Sequence, residues 1–189
     1  KANIPANYWE METLHYQLNE KYNLLSNPWN GFCSTYDYYK QFDDADKRKQ
    51  MFLVGQQYDN AGNKLKDNQT GLPLIISPYV NELSNPADSF RLAGVRNVKY
   101  APEPGTGDGD VVCQSNDMVL FRYADALMMK AEAELRSNTS LNDALNLINQ
   151  VRERAYGNSN HDWKISDLTL PKFIGRTSAG ICLGISGKK

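Results

Sequence analysis

Two consecutive amphipathic helical patterns in the second half of the chain constrain the fold most. The first follows a predicted N-terminal cap at Asn116 or Asp117, and its apolar residues recur every three or four positions. This stripe consists of Leu120, Ala124, Leu127, Met128, Ala131 and Leu135. The second pattern has Ser140 with Asp143 as a capping box and Gly157 as its C-terminal cap. Because the connection between them is short, the two helices are predicted to form an antiparallel hairpin.

The rest of the chain shows fewer regular patterns. Met11, Leu14, Leu18 and Tyr22 recur at helical spacing and predict a helix from Asn7 to Asn23. The apolar runs "MFLVGQQY" and "LPLIIS" predict a few short strands between turns rich in Asn, Asp, Gly and Pro. The predicted fold is therefore one mainly α region over residues 1–189. Its parts are a helix in 1–25, a loop-rich segment in 26–115, the hairpin in 116–157 and an atypical tail in 158–189.

Composition excludes several classes of protein. A formal net charge of -1 with 41% hydrophobic residues favours a chain with a buried core and gives no global attraction to nucleic acid or anionic membranes. No run approaches the roughly 18 apolar residues that a membrane-spanning helix needs. Cys33, Cys113 and Cys182 lie far apart and form no CxxC pair, so neither a zinc site nor a disulfide framework is predicted.

The charges within the first hairpin helix are predicted to be structural. Arg122 and Asp125 lie three residues apart, which places them on the same side of a helix as an ion pair. Catalysis by paired carboxylates needs two acids that face one cleft. Glu132 and Glu134 are two residues apart and therefore point to different sides. No catalytic residue is predicted.

Metal and cofactor sites are also not predicted. His15 and His161 are the only histidines, and they lie far apart without a HExxH arrangement. The segment "GTGDGD" is not followed by the Gly-Lys-Ser/Thr of a phosphate-binding loop, and it lacks the final Glu of an EF-hand. We interpret it as a flexible loop.

An aromatic cluster between Ser26 and Phe42 is the remaining feature with chemical content. Rings on loops can stack against the apolar faces of sugars while nearby amides and carboxylates bind the hydroxyls. The candidate ligand-binding residues are Trp29, Tyr36, Tyr38 and Tyr39. Aromatic residues are equally good core residues, so burial in the scaffold is the alternative for each of them.

The hairpin sequence resembles the signature of the SusD/RagB family. "NDMVLFRYADALMMKAEAELR" is followed by "ALNLINQVRERA" in the order and at the separation typical of that family. "WNGF", "FDDADKR", "GQQY" and "LAGVRNVKY" upstream also resemble family elements, so the likeness covers most of the chain. The residues that carry the signature are Arg122, Tyr123, Asp125, Glu132, Asn149, Arg152 and Arg154.

The resemblance implies a function beyond what composition or spacing indicate. SusD/RagB proteins are non-enzymatic outer-membrane lipoproteins of Bacteroidetes that bind oligosaccharides or polysaccharides at the cell surface. They are built on tetratricopeptide-like helix pairs and cover a SusC-like TonB-dependent transporter. Their glycan sites lie mostly on variable loops, so the resemblance assigns no sugar-binding residue here. The alternative is a helical-repeat adaptor for protein partners.

The two ends of the chain differ from the family pattern. The resemblance implies a C-terminal portion, in which the signal peptide and the lipidated cysteine that anchors the parent protein to the membrane are absent. After "LTLPKFI" the family continues with an acidic helix, whereas this chain reads "GRTSAGICLGISGKK". A shifted reading frame is one hypothesis for that tail.

Overall fold

The computed structural model describes residues 8–80, 91–106, 114, 116, 117 and 119–174. The predictions for Asn7, Cys113, Cys182, most of "GTGDGD" and the tail from residue 175 lie outside these ranges. The chain divides into two compact units, Lys1–Phe42 with Lys49–Met118, and Asp43–Arg48 with Val119–Lys189. We call them unit 1 and unit 2. The predicted fold class, mainly α with a few short strands, is confirmed.

Unit 1 is built from short elements. Its helices are α1 (Trp9–Thr13), a 3-10 helix (Tyr16–Leu18), α2 (Asn19–Tyr22) and α3 (Tyr36–Tyr39), and a second 3-10 helix covers Lys47–Met51 at the boundary between the units. Its strands are β1 (Phe52–Leu53), β2 (Gly55–Gln56), β3 (Ile75–Ile76) and β4 (Arg96–Asn97). Strand β1 pairs antiparallel with β4, and β2 pairs antiparallel with β3. The strands predicted from "MFLVGQQY" and "LPLIIS" are therefore confirmed.

The core of unit 1 draws on distant parts of the sequence. It consists of Leu14, Leu18, Leu53, Leu65, Leu74 and Ile76. Leu14 and Leu18 belong to the helical pattern near the start, and the other four come from the strands and turns. The predicted apolar face is therefore buried, although the backbone that presents it differs from the prediction.

A continuous helix from Asn7 to Asn23 is wrong. The backbone is extended at Leu14 (ψ 145°) and His15 (ψ 151°), and this break separates α1 from the 3-10 helix. The N–H of Asn30 donates to the Leu14 carbonyl at 2.9 Å, so that carbonyl is used outside the helix. His15 then starts the next turn, because its Nδ1 accepts the backbone N–H of Gln17 at 3.3 Å. Three short helical elements and the extended Leu14 present the same apolar face that one long helix was expected to bury.

Unit 2 contains the predicted hairpin, α4 (Tyr123–Ser137) and α5 (Leu141–Tyr156). Helix α5 begins at the predicted cap, where Ser140 Oγ accepts the N–H of Asp143 at 3.3 Å. It ends at Gly157, whose φ of 77° is the left-handed conformation expected of a C-terminal cap. The helices bury Ala131, Ala144 and Ile148 against each other. The hairpin is confirmed.

The predicted start of the first hairpin helix is wrong. Asn116 bonds the loop of unit 1 instead, since its side chain donates to the Ala101 carbonyl and accepts the N–H of Glu103. Helix α4 begins only at Tyr123, after the extended cap residue Arg122, whose N–H donates to the side chain of Asp125 at 2.8 Å as in a capping box. Leu120 therefore lies before the helix and is 71% exposed, rather than forming part of the buried stripe.

The segment after the hairpin returns to cover it. Trp163 and Phe173 pack into the core of unit 2, and residues 170–174 are helical. Asn149 fixes this return through its side chain, which donates to the Trp163 carbonyl at 3.0 Å and accepts the Trp163 N–H at 2.8 Å. Arg152 Nε donates to the His161 carbonyl at 2.6 Å. These two signature residues therefore hold residues 161–163 against α5.

We predict that Asn149→Ala lowers the free energy of unfolding by about 2 kcal/mol or more, because it leaves the backbone of Trp163 without two hydrogen-bond partners. The measurement is urea denaturation followed by tryptophan fluorescence. Asn146→Ala is the matched control, since Asn146 lies exposed on the same helix and gains the same helix propensity. Equal stability of the two variants would contradict the role of Asn149 in holding the backbone of Trp163.

The buried His15 predicts a pH dependence. Burial lowers its pKa to about 4 from 6.5, although the charge of Asp67 opposes the shift. Between these pH values the unfolded chain binds a proton that the folded chain does not, so stability falls as the pH drops from about 6.5 to about 4. The shift corresponds to about 3 kcal/mol, which is lost in this window and stays lost at lower pH.

Denaturant unfolding at pH 7, 5 and 4 measures this contribution. His15→Gln keeps an acceptor for the Gln17 N–H but does not titrate, so its stability should fall less on acidification than that of the wild type. His161→Gln should retain the wild-type pH dependence. Parallel curves for wild type and His15→Gln would show that His15 is not responsible.

Candidate ligand-binding site

The four aromatic candidates all lie in unit 1, but their environments differ. Tyr38 and Tyr39 are half-buried and pack edge-on against Phe52, with ring centroids 5.8 and 5.5 Å away. Phe42 joins the same group, 5.0 Å from Phe52. This packing favours a structural role for Tyr38 and Tyr39. Their predicted role in ligand binding remains untested.

Tyr36 has a different setting, because its partner ring is also exposed. Its ring centroid lies 4.5 Å from that of Tyr79 at an interplanar angle of 44°, and the two residues are 36% and 48% exposed. A hydrogen bond with Tyr36 raises the pKa of the Tyr79 hydroxyl. Lys40 lies over the Tyr36 ring at 5.6 Å and forms an ion pair with Asp37. The result is a solvent-facing pair of rings with charged groups beside it.

A segment from a third part of the sequence brings these two tyrosines together. Ser34 exchanges two backbone hydrogen bonds with Val95, at 2.7 and 3.1 Å, just before α3 presents Tyr36. The N–H of Ser77 donates to the Leu92 carbonyl at 2.8 Å, just before Tyr79. The segment 92–95 therefore contacts both loops. Sequence reasoning missed Tyr79, because no local pattern indicates a pairing that depends on this segment.

Trp29 belongs to a second exposed pair. Its ring centroid lies 5.4 Å from that of Tyr8, at an angle of 34°, and both rings are exposed. The N–H of Trp29 donates to the Met11 carbonyl at 2.6 Å, so the end of α1 fixes its backbone. Asn30 follows in the left-handed conformation, with φ 56°. Tyr8 was also missed by sequence reasoning, since it precedes the aromatic cluster.

A buried arginine contacts the backbone near both aromatic pairs, Tyr36–Tyr79 and Trp29–Tyr8. Arg96 is 2% exposed, and its Nε donates to Asn30 Oδ1 at 2.9 Å. Its other nitrogens donate to the carbonyls of Arg91, Ala93 and Gly94 at 2.9, 2.7 and 2.7 Å. Desolvation lowers the pKa of Arg96 from its ordinary value. The guanidinium therefore joins the turn beside Trp29 to the segment that contacts both tyrosine loops.

Three charged signature residues of unit 2 form ion pairs, two of them with each other and Glu132 with Arg136. Arg122 contacts Asp125 at 3.1 Å, and Arg136 contacts Glu132 at 2.7 Å. The predicted structural pairing of Arg122 with Asp125 is therefore present. Tyr123 and Arg154 are exposed, and Asn149 and Arg152 hold the returning segment as described above. Among the described residues, no group of three or more His, Cys, Asp or Glu side chains could hold a metal ion.

Comparison with known proteins decides the family. A family model described as the SusD family matches residues 7–167, which include parts of both units. The chain belongs to the SusD/RagB family. Proteins of this family bind glycans for nutrient uptake, are generally non-enzymatic and are associated with the outer membrane at the cell surface. A comparison with curated proteins gave no match. Within the described ranges, the helices are too short or too polar to cross a bilayer.

In this SusD/RagB chain, Gly94 has no space for a side chain. A Cβ atom there would lie 2.3 Å from Cys33 Sγ and 2.8 Å from Cys33 Cβ, and its φ is +80°. We predict that Gly94→Ala destabilises unit 1 by about 2 to 4 kcal/mol, which combines backbone strain with overpacking.

Gly62→Ala is the matched control for this prediction. Gly62 has a similar φ of +88°, but an added Cβ there would meet open space. It should therefore cost only about 1 to 2 kcal/mol, from the backbone alone. Urea denaturation measures both, and equal losses would show that the contact with Cys33 is unimportant.

Proposed function

We propose that this chain binds an oligosaccharide or polysaccharide through the exposed aromatic pairs of unit 1. The observation that carries the proposal is the Tyr36–Tyr79 pair, two touching exposed rings, one at the start of α3 and one on a loop. A soluble protein normally buries such rings, and exposed apolar surface with polar neighbours is typical of a binding site. The Trp29–Tyr8 pair is the second candidate contact.

The chemistry of the rings suits a sugar better than a fully apolar ligand. An aromatic face can cover the C–H groups of a pyranose, while Lys40 and Asp37 beside Tyr36 are a donor and an acceptor for its hydroxyls. Membership of a family that binds glycans supports the same ligand class. Binding without bond cleavage follows from this proposal, since it uses stacking and hydrogen bonds only.

The wider role that we propose is glycan uptake at the cell surface. The bound glycan passes to a SusC-like TonB-dependent transporter in the outer membrane, and the parent protein is a lipoprotein held there by its lipid anchor. Family membership supports each of these steps. No nucleic acid, metal or cofactor takes part in this proposal.

The test is calorimetric titration with pentasaccharides of α-1,4-glucose, β-1,4-glucose, β-1,4-xylose, β-1,4-mannose and α-1,4-galacturonic acid. At least one should bind the wild type, and Tyr36→Ala with Tyr79→Ala should weaken it about tenfold or more, which is about 1.4 kcal/mol. Tyr58→Ala is the matched control, because Tyr58 is an exposed tyrosine of unit 1 outside both pairs. Unchanged affinity in the double variant, or release of shorter sugars, would contradict the proposal.

One observation favours the second candidate, a helical-repeat adaptor for a protein partner. Leu120, Phe121 and Tyr123 are strongly exposed before and at the start of α4. Consecutive exposed apolar side chains are typical of protein contacts. This role predicts a specific protein partner that is lost in Phe121→Ser, together with no response to any of the five pentasaccharides.

A further inference from the structure

We infer that Arg96 is a positioning residue that sets both exposed aromatic pairs from within unit 1. The inference rests on the proposed function, in that the two pairs are taken as the ligand-binding surface. Arg96 itself is buried and is not expected to touch a ligand. Its effect passes through the backbone segments that its guanidinium holds.

The first step is the set of acceptors around the guanidinium. Nε donates to Asn30 Oδ1, one terminal nitrogen donates to the carbonyls of Ala93 and Gly94, and the other donates to the Arg91 carbonyl. All four acceptors belong to neutral groups. A buried charge is costly unless hydrogen bonds surround it, and these four bonds satisfy the guanidinium. Loss of the guanidinium would leave three backbone carbonyls and one side-chain oxygen without this donor, so Arg96 stabilises the unit by fixing the geometry of these segments.

The second step connects Arg96 to Trp29. Asn30 is fixed from three directions: its N–H donates to the Leu14 carbonyl, its Nδ2 donates to the Arg91 carbonyl at 3.0 Å, and its Oδ1 accepts from Arg96. Asn30 also has a φ of 56°, a conformation that non-glycine residues rarely adopt without such support. Trp29 precedes this turn directly, so release of Asn30 removes one support of its backbone and leaves the bond of its N–H to the Met11 carbonyl.

The third step connects Arg96 to the tyrosine pair. The carbonyls of Ala93 and Gly94 point at the guanidinium, and their neighbours Leu92 and Val95 bond the Tyr79 and Tyr36 loops. Gly94 leaves no space for a side chain, because a Cβ added there would lie 2.3 Å from Cys33 Sγ. The guanidinium of Arg96 thus holds the segment 92–95, which bonds Ser34 just before Tyr36 and Ser77 just before Tyr79. A lysine ammonium cannot reproduce the planar arrangement of these donors.

The experiment compares Arg96→Met with Gln57→Met. Gln57 is also buried in unit 1 and donates to two backbone carbonyls, those of Val54 and Gly55. Gln57→Met therefore removes the same kind of contact, and the acceptors Val54 and Gly55 belong neither to the aromatic pairs nor to the segment 91–96. Both variants are assayed below their unfolding transitions, as checked by circular dichroism, with the same five pentasaccharides by calorimetry.

We expect Arg96→Met to weaken binding of the pentasaccharide that the wild type prefers by about tenfold or more. Gln57→Met should stay within about threefold of the wild type. Arg96→Lys should recover only part of the affinity, because it keeps the charge but not the fork. Equal losses in Arg96→Met and Gln57→Met, or no loss in Arg96→Met, would overturn the inference.

Hydrogen exchange tests the inference without any sugar. The amides of Ser34, Val95 and Ser77 should exchange about tenfold faster or more in Arg96→Met than in the wild type, and at wild-type rates in Gln57→Met. Unchanged exchange would overturn the positioning role, whatever the binding result. Faster exchange in a protein whose wild type binds none of the five pentasaccharides would uphold the role of Arg96 in the loops and count against the glycan proposal instead.

Discussion

Satisfaction of backbone hydrogen bonds by side chains is the constraint on which unit 1 depends. Among its described residues the strands contain two residues each, so many carbonyl and amide groups find their partners outside strands, in other backbone groups and in side chains. Arg96, Asn30 and Gln57 bond such carbonyls from inside the unit. A loop-rich chain of this kind keeps one conformation because buried polar side chains replace regular secondary structure. The exposed rings can then occupy fixed positions although they stand on loops.

In unit 2, regular helices satisfy most of the backbone hydrogen bonds. The two helices of its hairpin satisfy their own backbones, and four signature residues of the SusD/RagB family bond either the start of α4 or the segment after α5. Arg122 and Asp125 form the start of α4, while Asn149 and Arg152 fasten the segment that returns over α5. The residues that identify the family therefore have a structural role in the helical hairpin. The candidate ligand contacts are found in the unit whose sequence is least regular.

The features that sequence predicted correctly are those that depend on local chemistry. Helix α5 has its cap, its apolar stripe and its terminal glycine within one continuous stretch, and the structure reproduces all three. The errors arose where a distant contact competed with a local pattern: Asn30 takes the Leu14 carbonyl, and Asn116 bonds the loop at Ala101 instead of capping a helix. The pairing of Tyr36 with Tyr79 depends on a third segment. The spacing of apolar residues and the composition of the chain contain no information about such a contact.

The contact between the Tyr36 and Tyr79 rings has a consequence for selectivity. The rings lie 4.5 Å apart at an interplanar angle of 44°, and their faces can cover the C–H groups of a sugar but cannot bond its hydroxyls. In the proposed role, the rings select the shape of the apolar face of the sugar, while Lys40 and Asp37 beside Tyr36 bond its hydroxyls. Such a surface accepts sugars whose contacting face is free of axial hydroxyls and rejects sugars whose axial groups prevent contact with the rings. Breadth across related polymers, rather than strict recognition of one monosaccharide, is the behaviour that this pair favours.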